Sequence, residues 1–379
     1  MKLISPLGYA RILCLLALVG VSFLSSAQAA PPPAAFGVWD RGSSFDPKEY
    51  PFLKGLAFNQ KWADLEKRPG VYDWSALDDA MDAAAKRGQY IYLSLGVGPD
   101  APDWIYGQGV PRVVCKDQKV DSWPAYPFYP SKEYKALLER LVAAFGKRIR
   151  SYSPEKQARI AFIQVKTGCT GDECAYKGDA TEKKYDLQVK SSAWREFRLW
   201  QFGLFTKTFQ GVPNQPRIAL MFNNVTSDDD ESGGKGYDEE WKWVTDNVTG
   251  GIAIKLAGSA RGHHLSGERT MIEAWQHRLV ASEAAPLFAR SEMDQTWQRA
   301  MFAKNLPMSF YWGALTGLQN GQSVWDITSG ALESCKEMGF DYSFYFFNRY
   351  AGQIDPRTAT GAFCALHKGL DAADTKAYP

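Results

Sequence analysis

At 379 residues, with 45% hydrophobic and 23% charged side chains, the chain has the length of one large domain or two ordinary ones and the composition of a soluble globular protein. Its net charge of +2 gives no footing for nucleic acid or a strongly anionic membrane surface, so neither is expected as a partner. The 13 Trp, 18 Tyr and 21 Phe supply a large aromatic core, and some would suit a cleft where indole faces stack on pyranose rings.

The N-terminus reads as a targeting segment. Lys2 and Arg11 precede the apolar run ILCLLALVGVSFL, which gives way to SSAQAA and PPPAA. A basic start, a short apolar core and the small-x-small end Ala27-Gln28-Ala29 predict a secretory signal peptide over residues 1–29. The apolar run is too short to span a bilayer comfortably, and Cys14 lies inside it rather than at its end, so no membrane or lipid anchor is expected. The mature protein is expected to be secreted or periplasmic, beginning near Ala30 or Pro31 with a Pro-rich leader to residue 35.

From Phe36 onward apolar runs alternate with amphipathic stretches. FGVWD is the first expected strand. LKGLAFNQKW is the second, followed by the helix WSALDDAMDAAAKRG with Gly88 as its stop. YIYLSLGVG is the third strand, and its helix SKEYKALLERLVAAFGKRI is capped by Ser131. IAFIQV is the fourth, followed by the helix WREFRLWQFGLFTKTF. RIALMFNN is the fifth, with DEEWKWVTDNV after it. GIAIKLAG, PLFAR and MSFYWGAL are expected as strands six to eight, with the helix TWQRAMFAKNL between the last two. Eight β-then-α units without hairpin signals predict a parallel sheet. At this length the expected fold class is α/β, a (β/α)8 TIM barrel forming a single domain over residues 36–379. An open doubly wound sheet is the structural rival, but no Gly-rich phosphate turn follows the first strand.

Five cysteines remain after residue 29. In an oxidising compartment Cys169 pairs either with Cys174 or with Cys115, and Cys335–Cys364 is a second candidate pair. No ligand cluster of His or Cys accompanies Cys169 and Cys174, so no metal and no cofactor is expected.

Active sites of (β/α)8 barrels lie at the C-terminal strand ends, so polar residues just past each apolar run are candidates. They include Asp40 and Arg41, Asn59 and Trp62, Trp104, Gln164 and Lys166, Asn223, Lys255 and His263, Arg290, and Tyr311 and Trp312. Of these Asn59, Trp62, Trp104, Gln164, Lys166, Asn223, Lys255, His263, Arg290 and Trp312 are taken as substrate contacts. Two carboxylates stand out. Glu173 follows the fourth strand and Glu292 ends the seventh, on opposing sides of a barrel. Glycosidic-bond hydrolysis needs such a pair: one group protonates the leaving oxygen and the other attacks or activates water. Arg290 beside Glu292 would hold that carboxylate ionised. Lys166, Lys255, Arg261 and Arg290 together suit an anionic glycan, or else brace the two glutamates.

The stretch LAFNQKWADLEKRPGVYDWSALDDAMDAAAKRGQYIYLSLGVGPDAPDWI resembles the opening of clan A (β/α)8 glycoside hydrolases of the family 42 β-galactosidase type. Trp62, Glu66, Gly70, Tyr72, Asp73, Trp74, Pro102 and Trp104 carry the resemblance. It implies an acid/base at Glu173, a nucleophile at Glu292, and retention of anomeric configuration. The family's Asn-Glu pair directly after the fourth strand is replaced by Asp172-Glu173 on a later turn, which leaves Asp172 as a possible substitute. The segments GCTGDECAY and ARSEMD also resemble β-amylases, which invert. Three functions follow: a retaining hydrolase of β-linked, possibly sulfated or uronate-bearing polysaccharide or oligosaccharide; an inverting β-amylase-like hydrolase; and a glycan-binding barrel without catalysis. Oligomeric state is not legible. Glu66 and Asp73 are read as braces of the second helix.

Overall fold

The computed structural model describes residues 33–42, 45–116, 125–169, 174–188, 191–222, 235–248, 252–256, 287–293, 306–319, 322–339 and 341–353. Among the described residues the strands of the main sheet are Gly37–Asp40 (β1), Leu53–Lys61 (β2), Tyr90–Gly96 (β3), Ile160–Val165 (β4), Leu220–Phe222 (β5), Ile252–Leu256 (β6), Leu287–Met293 (β7) and Gln322–Ile327 (β8). All are parallel and pair in chain order, and β8 pairs back to β1, with Gly37 opposite Val324 and Asp40 opposite Ile327. The sheet therefore curls into a ring. Helices follow the middle strands: Ser75–Arg87 (α1), Lys132–Arg150 (α2), Ser192–Phe209 (α3) and Lys235–Asn247 (α4) come after β2, β3, β4 and β5. Leu306–Gln319 (α5) precedes β8, and Ser329–Glu337 (α6) and Tyr342–Tyr350 (α7) follow it. Among the described residues no helix is long and apolar enough to cross a membrane.

Local chemistry sets these boundaries. At the start of α2 the Ser131 hydroxyl accepts from the Tyr134 N–H at 3.2 Å, while Lys147, Arg148 and Arg150 occupy the last turn, where the helix dipole favours cations. Its buried positions Tyr134, Leu137, Leu138, Leu141, Val142, Phe145 and Ile149 recur at three- and four-residue spacing and face the sheet. Gly88 ends α1 at φ +68°, a left-handed conformation that costs glycine nothing.

The eighth strand corrects the sequence reading. MSFYWGAL is not a strand but the middle of α5, with Phe310, Ala314 and Leu318 buried at four-residue spacing. A short apolar aromatic run carries no periodicity that separates a strand from a buried helix. The strand itself is Gln322–Ile327, QSVWDI, buried along its whole length despite Gln322, Ser323 and Asp326. The expected helix TWQRAMFAKNL falls, apart from Leu306, outside the described residues.

Inside the ring, Trp39, Ala57, Tyr92, Ala161, Phe162, Ala219, Met221 and Val324 form a closed layer together with Ala35. Tyr92 stacks on Phe162 at 4.9 Å and on Trp39 at 5.7 Å between ring centroids. Small residues on neighbouring strands make room for these rings. A Cβ on Gly55 would lie 2.7 Å from the Trp39 indole. The Trp39 indole N–H donates to the carbonyl of Ala35 at 2.8 Å, so the packed unit extends back into the last residues of the Pro-rich leader.

The family-like opening folds into a brace outside the ring. Glu66 is fully buried. Its carboxylate accepts from the Trp62 indole at 2.7 Å, the Gly70 N–H at 2.5 Å and Arg140 at 2.5 Å, and its carbonyl accepts from the Trp104 indole at 2.8 Å. Asp73 accepts from the N–H and hydroxyl of Ser75 at the start of α1, and the hydroxyl bond holds its carboxyl below the usual range. Glu66→Ala strands two buried donors and half of an ion pair. Because Arg140 is partly exposed, we expect a loss of about 3 kcal/mol rather than the larger cost of an uncompensated buried charge. Urea unfolding checks this, and an unchanged midpoint would contradict it.

Candidate functional site

The C-terminal ends of β2, β3 and β4 meet in a polar cluster. Asn59 is exposed, and its side-chain oxygen accepts from the Ser94 hydroxyl at 2.9 Å and from Lys166 Nζ at 3.1 Å. Parallel register explains the meeting: Asn59 is the partner of Ser94, and Ser94 is the partner of Gln164. Gln164 is buried, and the carbonyl of Lys166 is held by Gln201 from α3 at 2.7 Å. Three of the expected contacts therefore sit together: Asn59 lies more than 100 residues of sequence from Gln164 and Lys166 but only two steps of the sheet away.

Deeper and opposite lies a second polar group. Arg290 of β7 is 2% exposed and forms an ion pair with Asp326 of β8, itself 0% exposed. The Tyr92 hydroxyl donates to Asp326 Oδ2 at 2.8 Å, and Arg290 donates to the Tyr92 oxygen at 2.9 Å. Arg41 Nε stands 3.6 Å from the same carboxylate oxygen. Arg290 is thus ion-paired within the ring and not on an open cationic face.

The three tryptophans taken as substrate contacts are placed as follows. Trp62 is 0% exposed, locked by Glu66 and packed edge-on to Trp104 at 6.2 Å, so it has no face for a sugar. Trp104 is half-buried in the same brace, with the Arg140 guanidinium 5.5 Å from its ring centre. Trp312 lies in the middle of α5 and not at a strand end. For Trp312, Lys255 and Glu292 only the backbone is described: Lys255 is the register partner of Arg290, and Glu292 that of Asp326. Asn223, His263 and Glu173 lie outside the described residues.

The base of the turn that carries Glu173 is described. The Cys169 N–H donates to the Cys174 carbonyl at 3.2 Å, pinching the turn closed. Gly168, at φ +64°, leaves no room for a side chain, because a Cβ there would meet the Cys174 carbonyl at 2.0 Å. Gly98, just past β3, packs against the Gly168 carbonyl in the same way. Aromatic rings pack together just after the turn: Tyr129 stacks on Tyr176 at 5.6 Å and lies 5.3 Å from Trp194. Cys115 carries a free thiol, pushed up to about 11 by burial, so the expected pairing of Cys169 with Cys115 is not formed. Among the described residues no group of three or more His, Cys, Asp or Glu could hold a metal ion.

Sequence reasoning missed Asp326, Tyr92 and Ser94. The signal for Asp326 was present: Val324-Trp325-Asp326 repeats Val38-Trp39-Asp40 of β1. The two copies pair one residue out of step, Trp39 opposite Asp326, so Trp39 faces the ring interior while Trp325 packs outward on Phe344 and Phe347.

Together these features define an α/β protein whose parallel strands curl into a ring with polar groups gathered at the C-terminal ends. No protein-family model matches the sequence, and no curated protein matches it. Solved structures do match in fold, among them several glycoside hydrolases. The catalytic domain of β-amylase from Paenibacillus polymyxa matches with a TM-score of 0.52 at 10% identity, covering 81% of this chain and 97% of that one. Gan42B, a GH42 β-galactosidase from G. stearothermophilus, also matches at 0.52 with 10% identity, over 86% of this chain and 59% of that one. The β-galactosidase of the psychrophilic Marinomonas ef1 matches at 0.48 with 11% identity, over 77% of this chain and 53% of that one. The chain therefore spans little more than half the length of the β-galactosidases it matches. At such identities the likeness is one of fold.

Proposed function

We propose that the chain is an exported glycoside hydrolase, with a (β/α)8 catalytic domain acting on a β-linked polysaccharide or oligosaccharide. In this reading Glu173 is the acid/base and Glu292 the nucleophile of a retaining mechanism. The supporting observation is one of register. Glu292 sits one residue from the C-terminal end of β7, at the same end of the sheet as the Asn59–Lys166 hydrogen bond, and shares the strand parity of Arg290. Asn59, Ser94 and Lys166 would orient sugar hydroxyls there. An inverting mechanism is the second reading, favoured by the nearly full-length match to the β-amylase domain.

An anionic glycan is the preferred substrate class, resting now on Lys166, with Lys255 as a neighbour on β6, and no longer on Arg290. Incubating the mature protein with neutral, sulfated and uronate-bearing polysaccharides should release reducing ends from at least one of them. Lys166→Ala should then raise KM for the charged substrate about fivefold more than for a neutral counterpart, the worth of one exposed charged contact of roughly 1 kcal/mol. No reducing ends from any glycan would end the hydrolase reading, and hydrolysis of neutral glycans alone would end the anionic one.

A further inference from the structure

The Arg290–Asp326 pair has features that stability does not explain. Both side chains are buried, at 2% and 0% exposed, and an ion pair so placed is often no better for stability than apolar residues of the same volume. Asp326 Oδ2 is crowded by Arg290, Arg41 and the Tyr92 hydroxyl, yet Oδ1 is buried with no hydrogen-bond partner. A carboxylate with one idle buried oxygen is costly unless its charge is needed. The register partner of Asp326 on β7 is Glu292.

We propose that Asp326 and Arg290 are positioning residues that together set the ionisation of Glu292, a role that rests on the reading of Glu292 as a catalytic carboxylate. Arg290 alone would hold a neighbouring carboxyl strongly ionised, and Asp326 alone would keep it protonated. Paired, they nearly cancel, which leaves Glu292 able to titrate within the working range of an acid–base site. Among the described side chains, the other charged or titratable groups beside the pair are Arg41, just past β1, and Tyr92 on β3, and Lys255 on β6 is the register partner of Arg290. Asp40, at the end of β1, is occupied by the N–H groups of Gly42 at 2.8 Å and Phe45 at 3.0 Å.

The two charges make opposite predictions. In Asp326→Asn the uncompensated guanidinium should lower the Glu292 pKa, and in Arg290→Met the uncompensated carboxylate should raise it, each by about one pH unit or more. Arg290→Lys keeps the charge and should stay near wild type. Carbon-detected NMR titration of labelled glutamate carboxyls reads this directly, with the Glu292 signal assigned by its loss in Glu292→Gln. The ascending limb of kcat/KM against pH should move the same way, which a purely structural role would not produce. If Asp326→Asn does not fold, the Arg290→Met and Arg290→Lys pair carries the same comparison. Titrations that stay put or move in the same direction overturn the proposal while leaving the hydrolase reading intact. Full activity of Glu292→Gln overturns both.

Discussion

Replacing Glu292 by Gln is expected to lower kcat on a verified glycan by a factor of about 1,000 or more, with little change in the unfolding midpoint. The amide matches the carboxylate in shape but can neither attack an anomeric carbon nor take a proton from water. Stability should hold because the buried charge balance at this end of the sheet is already closed between Arg290 and Asp326. Both mechanisms considered for this chain need an ionised carboxylate at Glu292, so the loss is expected whether the enzyme retains or inverts. Activity near that of the wild type would remove the residue from the chemistry and with it the argument from register.

The alternation of strands and helices was legible because each boundary has a local cause. Ser131 caps α2, Gly88 stops α1, and Ile160–Val165 was expected residue for residue because a six-residue apolar run between polar flanks admits few other readings. The Asn59–Gln164–Lys166 cluster followed from one rule, that polar residues just past a parallel strand converge. What failed was non-local. QSVWDI was not among the expected strands because nothing near it in sequence says that Asp326 will be paired with Arg290, 36 residues earlier, and hydrogen-bonded by Tyr92, 234 residues earlier. The same blindness made Arg290 look like an open cation. Trp62 misled for another reason. The motif that marks the family resemblance builds a brace, with Glu66 one helical turn away from the indole it holds, and a brace gives the same sequence signal as a contact.

Removing the carboxyl of Glu173 should be selective, and the selectivity carries the argument. Glu173→Ala should slow glycosides with poor leaving groups by about 100- to 10,000-fold, because they depart only when protonated. Activated aryl glycosides, whose leaving groups need no proton, should lose far less, and azide should restore part of the rate if a glycosyl-enzyme forms. The residues flanking the Glu173 segment are joined by the Cys169–Cys174 backbone hydrogen bond, and Gly168 packs closely against Gly98. A retaining pair needs carboxyl groups about 5–5.5 Å apart and an inverting pair about 6.5–9.5 Å, so a glutamate displaced onto a turn several residues beyond β4 favours the wider spacing, while the family-like opening favours the narrower. The anomer of the first product decides between them. Early-time proton NMR of the released sugar should show retention if Glu292 is the nucleophile. Clean inversion would make Glu292 a general base, and the azide rescue of Glu173→Ala should then be absent. An equal loss on both substrate types would transfer the acid role from Glu173 to Asp172, the carboxylate beside it on the same turn.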